Sequence, residues 1–181
     1  PWPAVTFAAA NGTAPYRFEY NINGGPVQTA TAPSGNSVSI PVPTGTAGTF
    51  TYNLVSIQEG SANLCSQAQT GSAVVVINEL PTATIAGNTE VCLNAPSPNV
   101  TFTGAAGVAP YTFTYTINGG ASQTINSTGS TVSIPVPTGT AGTFVYSLVD
   151  VKDASSTTCN QAQSGTATVT VNPLPTGNFN F

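Results

Sequence analysis

The sequence is poor in charged side chains. It has two Lys or Arg and six Asp or Glu among 181 residues, which is 4%, against about 25% in ordinary soluble domains. Two basic residues cannot neutralise a run of phosphates, so the composition excludes nucleic-acid binding and a polybasic membrane patch. Histidine is absent, which removes the commonest general base and neutral metal ligand. We therefore expect no enzymatic activity and no cofactor.

Long apolar runs are also missing. No stretch approaches the ~20 residues that a membrane-spanning helix needs, so membrane insertion is not expected. What is present is 40% hydrophobic residues, 18 Gly and 15 Pro, in a chain rich in Thr and Asn. This composition is typical of an extracellular β protein. Methionine is absent, and we expect the chain to be a processed product or an excised piece.

The chain contains an internal repeat of 94–95 residues. Residues 1–25 and 96–120 are identical at 16 of 25 positions, and VSIPVPTGTAGTF occurs at both 38–50 and 132–144. Such self-similarity is the signature of tandem modules. We predict three segments: residues 1–80 as a repeat that lacks its first strand, residues 81–174 as a complete repeat, and residues 175–181 as the start of a third. The chain is then one section of a longer array of repeats.

Within one repeat the hydrophobic period is two, which indicates β-strands. Tyr111, Phe113 and Tyr115 alternate with threonines, and so do Val169 and Val171. The Asn118-Gly119 pair provides the positive φ of a tight hairpin turn. About seven strands in ~94 residues predict an all-β chain of two tandem immunoglobulin-like or fibronectin-III-like sandwiches. Tyr52 and Tyr146 occupy the predicted position of a tyrosine corner.

Three cysteines in an uncharged, Thr-rich chain suggest an oxidising compartment. Cys92 lies near the first strand region of its repeat and Cys159 just before the last strand. Since first and last strands run parallel in such a sandwich, we predict a Cys92–Cys159 disulfide. Cys65, the counterpart of Cys159, then remains an unpaired thiol. A redox-active pair is the alternative, but no Cys-x-x-Cys motif is present.

Few other residues suggest a site. Asp150 and Asp153 are candidate Ca²⁺ ligands, but the first repeat has Ser56 and Glu59 there, so a solvated loop is the favoured interpretation and no metal site is predicted. Rows of threonines at 112, 114 and 116 and at 166, 168 and 170 suit glycan or ice binding, and equally suit ordinary strand surfaces.

Several segments resemble a known group of proteins: PTATIAG, EVCLNAPSPNVTFTG, APYTFTYTINGG and the final TVTVNPLPT. They are similar to the tandem Ig-like repeats of giant cell-surface adhesins of Bacteroidota, including SprB-like adhesins of gliding motility. The resemblance covers essentially the whole chain. It implies a location on the bacterial cell surface, export by the type IX system, and a part in adhesion or gliding. It brings no catalytic residues with it.

Three functions remain open from the sequence. The first is a structural stalk whose partners are the neighbouring repeats of the same chain. The second is a self-assembling filament subunit, in which residues 175–181 of another copy complete the first repeat by strand addition. The third is a glycan-binding or ice-binding module.

Overall fold

The computed structural model describes residues 2–179, and this part of the chain consists of strands and loops. It contains no helix that is long and apolar enough to cross a membrane. The chain divides into two compact units, Pro1–Ile77 (unit 1) and Asn78–Phe181 (unit 2). The predicted boundaries at residues 80 and 174 remain predictions.

Unit 2 is a sandwich of two sheets. Its strands are β8 (Thr82–Ala86), β9 (Thr89–Cys92), β10 (Asn99–Ala105), β11 (Thr112–Ile117), β12 (Gln123–Asn126), β13 (Thr131–Pro135), β14 (Gly142–Lys152), β15 (Asn160–Ala162) and β16 (Thr166–Asn172). One sheet has the order β13-β10-β8. The other has the order β12-β11-β14-β16-β9, and β15 pairs with β14. All pairs are antiparallel except β9 with β16.

Unit 1 repeats this plan without the first two strands of unit 2. Its strands are β1 (Ala4–Ala8), β2 (Tyr16–Ile22), β3 (Gln28–Ala32), β4 (Ser37–Pro41), β5 (Gly48–Gln58), β6 (Ser66–Ala68) and β7 (Ser72–Ile77). One sheet contains β1 and β4, and the other has the order β3-β2-β5-β6, with β7 also paired to β5. The predicted all-β fold of two Ig/fibronectin-III-like sandwiches is confirmed by this strand order.

Each unit has its own core between its two sheets, built from the inward residues of the period-two pattern. In unit 2, Phe102 and Phe113 are fully buried, and their ring centroids lie 5.6 Å apart. The corresponding rings of unit 1, Phe7 and Phe18, are 5.7 Å apart. The repeated sequence therefore places equivalent aromatic pairs in equivalent cores.

The Asn-Gly turns tie the hairpins to a neighbouring strand. Asn118 has φ 49°, and its side-chain oxygen accepts a hydrogen bond from the backbone N–H of Val145 at 2.7 Å. In unit 1, Asn23 accepts from the N–H of Thr51 at the same distance. Asn fits here because it tolerates positive φ and provides the acceptor.

The tyrosine-corner prediction for Tyr52 and Tyr146 is wrong, because in residues 2–179 the tyrosine hydroxyls that donate to a backbone carbonyl belong to other tyrosines. The hydroxyls that donate to the backbone five residues upstream belong to Tyr16, bonded to the carbonyl of Asn11 at 2.9 Å, and to Tyr111, bonded to that of Ala106. Tyr52 and Tyr146 are buried core residues. Burial, together with the neighbouring tyrosines, raises their pKa above the usual value for a phenol.

Candidate interaction surfaces

The three cysteines are free in the structure, so the predicted Cys92–Cys159 disulfide is wrong. Cys92 aligns with Asn172 at the last residue of β16, next to the start of β14 at Gly142. Cys159 lies beside the other end of β14, where its carbonyl accepts from the N–H of Asp153 at 2.9 Å. Ten residue steps along β14 separate these ends by about 33 Å, whereas disulfide-bonded Cα atoms lie under ~7 Å apart.

The error lies in the placement of Cys92, which is the last residue of the first strand region (β8 and β9) and not near its start. The chain enters unit 2 through β8, changes sheets near Gly87 and continues through β9, which runs parallel to β16. Cys92 is therefore carried to the end of unit 2 opposite Cys159. Cys65, predicted to be an unpaired thiol, is exposed.

Of the two candidate Ca²⁺ ligands, Asp150 lies on β14 and Asp153 follows that strand. Asp153 is buried and holds a loop: its carboxylate accepts from the backbone N–H of Val108 at 3.0 Å and from the hydroxyl of Ser155 at 2.8 Å. Burial alone would raise the pKa of Asp153, but these hydrogen bonds hold it below its usual value. Within residues 2–179 no group of three His, Cys, Asp or Glu side chains is placed to hold a metal ion.

The same loop contact exists in unit 1, which the sequence interpretation missed. Glu59 accepts from the N–H of Thr13 at 3.0 Å and from the hydroxyl of Ser61. The Ser61 hydroxyl and then the Thr13 N–H lower the pKa of Glu59. The signal was a carboxylate followed two residues later by Ser at aligned positions of both repeats. These acids are therefore structural loop anchors.

The threonine rows lie on one face of the larger sheet of unit 2 but are not continuous. Thr114 on β11 and Thr168 on β16 are separated by β14, whose register places Val145 beside Thr168. Thr112 also donates its hydroxyl to the side-chain oxygen of Asn126 at 2.8 Å. The face is therefore not a regular array of free hydroxyls, and the glycan or ice interpretation remains an untested prediction.

An open apolar groove runs along unit 1 where unit 2 carries β8. We call it the β1 groove. It is a cavity of about 190 Å³. Its lining includes Val5, Phe7, Tyr52, Leu54, Gly71 and Ala73.

The equivalent surface of unit 2 is covered by β8. Ile85 pairs with Phe102 on the neighbouring strand β10. A Cβ placed on Gly165 would lie 3.1 Å from the Cγ2 atom of Ile85. A Cβ placed on Gly71, the counterpart of Gly165, meets no atom of the described residues within 4 Å. Ala73 is correspondingly half-buried, whereas its counterpart Ala167 is fully buried.

No protein-family model matches the chain, and no curated protein sequence matches it. Solved structures with some similarity include the fibronectin(III)-like modules of Clostridium thermocellum CbhA, at 12% identity and a TM-score of 0.37, over 98% of this chain and 91% of that one. The BSP domain of a biofilm associated protein is 19% identical with a TM-score of 0.29, over 97% of this chain and 28% of that one. The human OSCAR ligand-binding domain is 13% identical with a TM-score of 0.36, over 93% of this chain and 88% of that one. The fold assignment rests on the strand order described above.

Proposed function

We propose that the chain is a structural spacer of an extracellular bacterial cell-surface adhesin and that its repeats bear tension between the cell and a more distant adhesive part. The two units share their cores, turns and loop carboxylates, whereas their other charged side chains are few and differ between repeats. In residues 2–179 the salt bridge found is the exposed Arg17–Glu19 pair, at 3.2 Å. Duplication has thus preserved the scaffold rather than a cluster of reactive groups.

The observation that carries the proposal is the parallel pairing of β9 with β16. It runs from Thr89 opposite Val169 to Cys92 opposite Asn172, and the N–H of Leu93 continues it by donating to the carbonyl of Asn172 at 2.8 Å. These strands lie next to the entry and exit of unit 2. A pull on the two ends moves them in opposite directions along their lengths, so their hydrogen bonds are loaded together rather than one after another.

Unit 1 provides an internal comparison. Its last strand, β7, pairs with β5, and the described residues contain no parallel strand beside it. We therefore expect single-molecule force spectroscopy on the whole chain, pulled from its termini, to give two classes of unfolding event, with unit 2 unfolding at the higher force. The two classes are assigned by the length of chain that each event releases.

A pair of substitutions at Val91 separates backbone pairing from side-chain packing. Alternate residues of a strand face the same neighbour, so the N–H of Val91, like that of Leu93, points at β16. Val91→Pro removes this donor and should lower the force of unit 2 to that of unit 1. Val91→Ala keeps the donor and should preserve the difference. Equal forces for the two wild-type units would contradict the proposal.

The proposed identity of the parent protein is supported by the resemblance of its repeats to those of known adhesins. On that basis the parent protein is a SprB-like adhesin of Bacteroidota, exported by the type IX system and contributing to adhesion or gliding. The low charge and the Thr-rich strands agree with an extracellular location. The partners of each repeat are then its neighbours in the same chain.

A further inference from the structure

The two cysteines of unit 2 lie at its opposite ends. Cys92 closes β9 opposite Asn172, the last residue of β16. Cys159 lies about 33 Å away, beside the other end of β14. Both thiols are accessible, since Cys92 is exposed and Cys159 is partly exposed. A disulfide within the repeat is therefore excluded, and each thiol is available to a cysteine outside the repeat.

The sequence position of Asn172 is also present at the start of unit 2, where it is occupied by Asn78. Each of these asparagines is followed two residues later by a Leu-Pro pair. The side-chain amide of Asn78 donates to the hydroxyl of Thr157 at 2.8 Å, and that hydroxyl oxygen lies 3.2 Å from the Sγ of Cys159. At the start of a repeat, this position is therefore close to a thiol.

The same position adjoins the other cysteine at the end of unit 2. Cys92 and Asn172 are opposite each other in the parallel pair of β9 with β16, and paired strands lie about 4.8 Å apart. Both residues are exposed, whereas the preceding Val91 and Val171 pack into the core. The side chains of Cys92 and Asn172 therefore project from the same face of the sheet and are neighbours there.

We propose that Cys92 forms a disulfide with the counterpart of Cys159 in the following repeat of the array. The shared asparagine brings the two thiols together, because it is beside the first cysteine at the end of one repeat and beside the second at the start of the next. The two thiols lose two protons and two electrons, and a disulfide oxidant such as oxidised glutathione accepts them and becomes two thiols. This inference rests on the proposed array outside the cell, where cysteines are oxidised.

Such bonds limit how far the array can be stretched. Within each repeat the counterpart of Cys92 precedes that of Cys159, so successive bonds overlap along the chain. Tension then passes from one bond to the next through a segment of 27 residues, the spacing of Cys65 and Cys92. Each segment spans at most about 95 Å and transmits force across two repeats, which would otherwise unfold to roughly 600 Å. The array would then remain nearly inextensible even if its repeats unfolded.

The test uses a longer chain in which residues 1–174 are followed by a copy of residues 81–174. After incubation with reduced and oxidised glutathione, peptide mapping without reduction should link Cys92 to the copied Cys159. Cys92→Ser should abolish this bond, and it does not threaten the fold because Cys92 is exposed. Cys159→Ser in unit 2 is the matched control and should preserve the bond. Absence of the bond, its loss in Cys159→Ser or its survival in Cys92→Ser would overturn the proposal.

Force spectroscopy on the same longer chain tests the mechanical consequence. The reduced chain, pulled from its termini, should give three unfolding events. In the oxidised chain only unit 1 should release its full length, since the bond carries the force past the residues between Cys92 and the copied Cys159. Equal released lengths before and after oxidation would contradict a load-bearing bond. The force difference between units 1 and 2 is measured without the added copy, so the spacer proposal and the disulfide proposal can fail separately.

Discussion

At the scale of single residues, the most informative groups are the two loop carboxylates. Asp153 and Glu59 occupy aligned positions, and each accepts from a backbone N–H across the loop and from the Ser two residues later. A hydrogen bond to a charged group contributes more than a neutral one. In a chain with few charges, these acids serve to hold the loops that precede β2 and β11.

This geometry predicts a pH dependence for unit 2. The folded-state pKa of Asp153 is lowered from the model-compound value of 3.8, so its contribution to stability is present above that value and is lost as the pH falls through the folded pKa. Asp153→Asn should lower the free energy of unfolding by about 1 kcal/mol at neutral pH. It should also make that free energy fall less steeply as the pH decreases, measured by urea denaturation between pH 2 and 7.

Asp150→Asn is the matched control because it removes the same charge from β14, outside the loop. The free energy of unfolding of this variant should fall with decreasing pH as steeply as that of the wild-type chain. Equal slopes for the wild-type chain and Asp153→Asn would show that the loop contact does not set the pH dependence.

At the scale of strands, the alternation of apolar and polar residues predicted the strands well. One face of each sheet packs against the core and the other faces solvent, so successive side chains alternate between the two. The pattern of Tyr111, Phe113 and Tyr115 is buried as predicted. The disulfide failed at the same scale. The hydrophobic pattern indicates which residues face inward, but not where the first strand region begins and ends, and Cys92 is the last residue of that region.

The contribution of β8 and β9 can be measured by adding their equivalents to unit 1. A copy of residues 81–95 ahead of Pro1 should cover Leu54, Gly71 and Ala73 as β8 covers their counterparts. Burying one side chain of the size of Ile contributes about 2 kcal/mol, which corresponds to a rise of about 10 °C in the melting temperature of a unit this small. Calorimetry should show the transition of unit 1 rising while that of unit 2 stays constant.

The control for this experiment is the same added segment with Asp in place of the residue copied from Ile85. It has the same length and nearly the same composition, but it would bury a charge in the groove. We expect the unit 1 transition to stay close to its wild-type temperature. If both added segments raise it equally, the gain does not come from filling the β1 groove.

At the scale of the whole chain, the sequence repeat predicted two sandwiches, and each unit has its own core. Such arrays are stabilised within each repeat and between neighbours. The sequence predicted that the first repeat lacks its first strand, but not the β1 groove beside β1. Its volume and lining depend on where Tyr52 and Leu54 point once the sheets are packed, which the repeat pattern does not specify.

The proposed surface location leads to a prediction for intact cells. The chain has two basic and six acidic side chains, a composition that supports the proposed extracellular location. An antibody raised against the whole chain should label intact cells of the source organism as strongly as permeabilised ones, and protease added outside the cells should remove that label. An antibody against a cytoplasmic protein is the control, since it should label only permeabilised cells. Labelling by the chain antibody that requires permeabilisation would place the protein inside the cell and remove the basis for a load-bearing role between the cell surface and its surroundings.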